Sequence, residues 1–145
     1  MKFNVIIEPD CEEEITLKLR EKSDLEEKIR ALLKENERAI VGYGEREIKP
    51  LNLREVGCFF VEGGRTYATV GGGRFRVDMR IYELEERLGE DFVKVNQSCI
   101  VNVGQIERFD ASFAGSLIVV MKDGMRECIS RRQLKTVKER IGFKL

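Results

Sequence analysis

The residue types that carry most enzyme chemistry are missing or scattered in this chain. There is no histidine among its 145 residues. That removes the usual general base, the commonest metal ligand and every triad built on imidazole. The four cysteines, Cys11, Cys58, Cys99 and Cys128, stand far apart and form no CxxC pair. Their scattered spacing and the lack of a histidine partner argue against a zinc site, and they read as reduced small hydrophobes, with Cys58, Cys99 and Cys128 each inside an apolar run. Gly71-Gly72-Gly73 suggests a phosphate cradle. Such a cradle needs its glycines between a strand and a helix start, in GxGxxG order or followed by Lys-Ser/Thr, and neither pattern occurs. Glu12-Glu13-Glu14 is the densest acidic run, but consecutive residues on extended chain point to alternating sides, which is a poor way to share one cation. These absences exclude most hydrolase chemistry and imply no catalytic residue, metal or cofactor.

Charge is the remaining chemical signal. The formal net charge is zero, yet residues 1–62 carry 11 Lys+Arg against 15 Asp+Glu, and residues 63–145 carry 15 against 11. A basic second half suits contact with phosphate by part of the chain. Hydrophobic residues make up 42% and charged residues 36%, enough apolar content for a core and too much charge for a membrane-embedded chain. No apolar stretch approaches the length of a spanning helix, and Met1-Lys2-Phe3-Asn4 does not open a secretory signal, so the sequence implies a cytoplasmic protein.

The elements that must position any contact residues are mostly short strands. Residues 2–8 read as a strand stopped by Pro9-Asp10, and Ile15, Leu17 and Leu19 alternate with polar residues as a second. The period then changes. Ser23 and Glu26 form a capping-box pattern, and Leu25, Ile29, Leu32 and Leu33 recur at helical spacing to about Asn36. Strands follow at 39–43, 47–51, 56–62, 66–70 and 74–77, with Gly63-Gly64 and the triple glycine as turns. Ile81, Leu84 and Leu88 mark a short helix ending at Gly89. Strands resume at 92–95, 99–102, 106–110 and 117–121, and Asp123-Gly124 turns the chain into 125–129. Ser130 opens a last amphipathic helix with Leu134, Val137 and Ile141 inward. The fold class is mainly β (α+β): antiparallel sheet with small helices at its edges.

Three segments taken together resemble the LytTR DNA-binding domain family of bacterial regulators. They are VGCFFVEGGRTYATV at 56–70, RIYELEERLGEDFVKVNQSCIVNVGQIERF at 80–109 and LIVVMKDGMRECISRRQLKTVKERIG at 117–142. The match in order and spacing runs from about Leu53 to Gly142. It implies an antiparallel β-sandwich of LytTR type over residues 51–145, preceded by a small strand-and-helix extension at 1–50 like that of stand-alone members lacking a receiver domain. It also implies a transcriptional regulator that reads the major groove of double-stranded DNA with loops of a sheet. Two copies on repeated half-sites and a regulatory membrane-protein partner follow from the family alone.

The resemblance carries over to particular residues. The family's contact loop aligns with Lys94, Asn96, Gln97 and Ser98. There the Gln97 amide can pair with adenine N6 and N7, and Lys94 and Ser98 suit phosphate oxygens. This chain has Asn96 and Gln97 where many members have His or Arg, a departure that bears on the preferred bases. The start of the last helix aligns with a DNA-contacting arginine, which makes Arg132 the candidate for guanine O6 and N7, with Arg131 beside it. Arg65 and Tyr67 belong to a third loop, Arg65 toward phosphate and Tyr67 toward a base edge or the backbone. Asn102, Asp110 and Ser116 read as scaffold. Two other functions stay open at this level: an RNA-binding module that stacks bases on sheet aromatics, and a protein-interaction or sensing domain whose acidic front supplies the contact.

Overall fold

The computed structural model describes residues 1–37, 39–111 and 115–144. The chain divides into two compact units, Met1–Glu35 and Asn36–Leu145.

In the first unit the expected strands at 2–8 and 15–20 do not form. Alternation decides which side of a strand is apolar, but a strand exists only when its backbone groups find a neighbour, and these segments have none in the unit. The helix does form, as α1 (Asp24–Glu37). Ser23 Oγ accepts the amide of Leu25, the second helical residue, at 3.3 Å, an N-cap bond in place of the capping-box bond to the Glu26 amide. The Glu26 carboxylate turns instead to Arg30, 2.8 Å away on the next turn.

The second unit is built on a seven-stranded antiparallel sheet. In chain order its strands are β1 (Val41–Tyr43), β2 (Ile48–Pro50), β3 (Val56–Glu62), β4 (Arg65–Val70), β5 (Gly73–Val77), β6 (Phe92–Asn96) and β7 (Cys99–Asn102). Their spatial order is β2-β1-β5-β4-β3-β7-β6. The last ten or so residues of the segment read as an extension therefore supply two strands of this sheet. A second sheet of three strands contains β8 (Ile106–Ala111), β9 (Leu117–Met121) and β10 (Arg126–Cys128), in the order β10-β9-β8. The helices of this unit are α2 (Ile81–Arg87) and α3 (Arg131–Ile141).

Strands β3, β7 and β6 are apolar on both faces, and this makes the fold a sandwich. Val56, Phe59, Phe92 and Ile100 pack with Ile81 and Leu84 of α2 on one side. Cys58, Val93, Val95, Cys99 and Val101 pack on the other side with Val119 and Met121 of β9 and Val137 of α3. Continuous apolar runs such as Cys99–Val101 are the sequence form of a strand covered on both faces. Asn102 closes β7 as buried scaffold. Its Nδ2 donates to Val56 O at 2.8 Å and Leu53 O at 3.2 Å, and its Oδ1 accepts the Gly104 amide.

Two of the thiols fit the sequence reading and one does not. Cys58 and Cys99 are buried between the sheets, and their mutual hydrogen bond together with burial pushes the Cys99 thiol up. Cys128 is exposed, because β10 is an edge strand and leaves that side chain outside.

Candidate nucleic-acid interface

One end of the large sheet gathers three chain reversals. β3 runs toward the turn at Gly63-Gly64, whose φ of +59° and +76° only glycine adopts readily, and Glu62 then pairs with Arg65 at the start of β4. Because β7 is antiparallel to β3, with Phe60 opposite Cys99, the β6–β7 turn at Gln97-Ser98 lies at that same end. A backbone bond from Val61 N to Ser98 O, 2.9 Å, joins the two reversals. The third member is the start of α3, fixed by Ser130 N donating to Val95 O at 2.9 Å. At its far end α3 is held by Arg140, whose guanidinium donates to Phe92 O and Glu90 O. The helix is therefore fastened to β6 at both ends, and its first turn has a defined position beside the β6–β7 turn.

Asn96 acts as the brace between these parts. Its Oδ1 accepts the Ser98 amide at 2.8 Å, shaping the turn. Its Nδ2 donates to Cys128 O at 2.9 Å and Glu127 Oε2 at 3.1 Å, reaching the strand that leads into α3. With its amide committed in this way, Asn96 faces the protein, while Gln97 and Ser98 stand exposed at the tip. Ser130 occupies the N-cap position of α3, yet its side chain makes no capping bond, so the helix opens with uncapped amides. Arg131 and Arg132 follow in the first turn, exposed and without an ion pair among the described residues. Arg65 at the neighbouring turn is likewise exposed and makes no ion pair among the described residues. A shallow cleft beside it is lined by Arg76, Arg80, Asp78 and Glu83.

Five of the eight residues anticipated from the sequence thus share this end with their side chains available: Arg65, Gln97, Ser98, Arg131 and Arg132. Asn96 is there as support. The other two lie along strands, on opposite faces. Lys94 alternates with Val93 and Val95 and so points to the α2 side, where its ammonium meets Glu85 at 3.3 Å. Tyr67 sits on the other face, its ring stacked on Phe60 at 5.7 Å with the Arg74 guanidinium 4.3 Å over it. The cross-strand row continues through Arg76 to Tyr43, where a second guanidinium lies 4.5 Å over a ring. Arg74 and Arg76 are also paired with Glu62 and Asp78. Sequence reading passed over this aromatic and arginine row; the signal was the alternation of arginine with Phe75 in Gly73-Arg74-Phe75-Arg76-Val77.

The family model of the LytTr DNA-binding domain matches residues 46–142. The chain belongs to the LytTR family. Among curated proteins, an uncharacterised HTH-type transcriptional regulator of Staphylococcus aureus strain NCTC 8325 / PS 47 is 34% identical over 104 residues, covering 72% of this chain and 71% of the relative. A counterpart from the bovine strain RF122 / ET3-1 is 33% identical over the same length. A solved LytTr DNA-binding domain from Bacillus cereus superposes with a TM-score of 0.67 at 18% identity, covering 73% of this chain and 99% of that domain. The LytTR fold is thus the second unit described above, and the matched segment begins within the loop before β2. Among the described residues no helix is long and apolar enough to cross a membrane, and no group of three metal-binding side chains occurs.

Proposed function

We propose that this LytTR chain reads double-stranded DNA with the loop end of its large sheet, entering the major groove with Gln97 and Arg132. It is a DNA-binding transcriptional regulator. The reading rests on the meeting of Gln97-Ser98 with the first turn of α3 and with Arg65, held together by Val61–Ser98, Val95–Ser130 and Asn96–Cys128 hydrogen bonds. Base edges need planar polar groups and phosphates need cations or open amides, and this end offers both within a rigid frame. Gln97 would take adenine N6 and N7, and Arg132 guanine O6 and N7. Arg65, Arg131, Ser98 and the uncapped amides of α3 would hold phosphates. Asn96 contributes by fixing the turn, and Lys94 and Tyr67 by packing along the strands. Two copies acting on repeated half-sites in the cytoplasm complete the proposal, together with the family's analogy of a membrane protein that controls the regulator.

The test starts from duplexes selected out of a random pool, with binding then measured on a selected and a scrambled duplex at fixed salt. Gln97→Ala and Arg132→Ala should each lower affinity for the selected duplex about tenfold or more and leave scrambled binding nearly unchanged. Equal losses on both duplexes would remove these residues from base readout. Tighter binding to single-stranded RNA than to any duplex would remove the DNA reading itself.

A further inference from the structure

The first unit leaves an unusual amount of apolar side chain in water. No residue in 1–33 is buried, and Phe3, Val5, Ile6 and Ile7 are each at least 69% exposed. Leu32 and Leu33 of α1 are exposed as well. Among the described residues, the backbone of 1–22 makes a single backbone hydrogen bond, Cys11 N to Glu8 O. A strand-forming sequence with open donors, open acceptors and uncovered side chains is an edge awaiting a partner.

The charges say which partner fits. Pairing 2–8 with 15–20 as a hairpin, in the phase that aligns Phe3, Val5 and Ile7 with Leu19, Leu17 and Ile15, sets Lys2 opposite Arg20 and Glu8 opposite Glu14. Like charges directly opposed disfavour a ladder. Antiparallel pairing of 2–8 with the same segment of a second copy, centred on Val5, does the reverse. Lys2 faces Glu8 at both ends, Phe3 faces Ile7, and the apolar residues 3, 5 and 7 of both copies share one side of the ribbon. Such a ribbon needs cover on that side, and each copy brings the exposed leucines of α1.

We propose that residues 2–8 form a two-fold antiparallel strand pair with a second copy of this chain, and that this pair is the dimer contact. The inference rests on the reading above that two copies act together. The pairing is isologous, so each charge contact occurs twice.

Sedimentation of the full-length chain tests it. Lys2→Glu and Glu8→Lys should each weaken the dimer about tenfold, and the double variant should return to within about twofold of the original. In the intrachain hairpin Lys2→Glu would instead create an attractive pair with Arg20. Val5→Cys, made in a Cys11→Ser and Cys128→Ser background, should cross-link two copies under diamide, since Val5 lies on the axis. A monomeric parent chain, or a dimer indifferent to both single charge reversals, overturns the proposal. Binding to a duplex with one half-site reports separately on the DNA face. Its absence in the parent chain would end the DNA reading and leave the strand pairing standing.

Discussion

Replacing Asn96 with alanine separates a bracing role from a base-contacting one. Three hydrogen bonds are lost: those to Cys128 O and Glu127, and the one accepted from the Ser98 amide. Each is worth about 0.5–1.5 kcal/mol net, and this residue is half-buried, so water replaces part of the loss. The sum is about 1.5–2.5 kcal/mol, or about 6–11 °C in Tm for a domain of this size. Urea denaturation should show a lower midpoint with the slope unchanged, because the surface exposed on unfolding stays the same. Binding should fall on selected and scrambled duplexes together, since loosening the turn misplaces Gln97 and Ser98 at once. Asn96→Asp should be at least as damaging, because it sets a second carboxylate against Glu127. If Asn96→Ala unfolds within about 0.5 kcal/mol of the parent chain yet loses only sequence-selective binding, the bracing argument is refuted and Asn96 belongs with the readers.

Further expectations follow from the same geometry. Arg65→Ala should reduce the slope of log affinity against log salt by about 0.9, whereas Lys94→Ala, already paired with Glu85 on the far face, should leave the slope unchanged and cost less than about 1 kcal/mol of stability. A measured slope change for Lys94→Ala would place it on phosphate. Asn102→Ala strands two carbonyls and an amide at a buried site and should cost about 2–4 kcal/mol in urea unfolding with no separate effect on DNA selectivity. Asp110 is held below the usual carboxylate range by its hydrogen bond from Arg108 and then by Arg126. A pKa lower in the folded state gives stability that is present above the unfolded value, near 3.8, and lost as the pH falls toward the folded one. Acid unfolding followed by circular dichroism should therefore lose part of its pH dependence below about pH 4 in Asp110→Asn.

The sandwich was legible because its signals are local. Gly63-Gly64 and Asp123-Gly124 announce hairpins, and the change of period at Ile81 and again at Leu134 announces α2 and α3. What the sequence could not disclose was pairing. The alternation in 15–20 is as regular as that in β4 and 2–8 is as strand-like in composition, but β4 has β3 and β5 beside it and the N-terminal segments have no neighbour in their own unit. The same gap explains the site. Position 94 reads as a loop lysine when 92–102 is taken as one contact segment. Once Val93 and Val95 are seen to face the second sheet, Lys94 must point to α2. Asn96 and Gln97 are chemically alike and adjacent, and only the proximity of β10 tells which amide is spent on the protein.

The division of labour at the β6–β7 turn bears on how such a regulator changes its target. The tip residue Gln97 is exposed and its side chain makes no hydrogen bond or ion pair among the described residues, while its neighbour and the glycine pair of the adjacent hairpin hold the backbone path. With Gln97 as the proposed base reader, a replacement at the tip is expected to alter which operators are preferred without a stability penalty to be compensated elsewhere. Paralogues could diverge in regulon by one codon at a time, with the scaffold inherited intact.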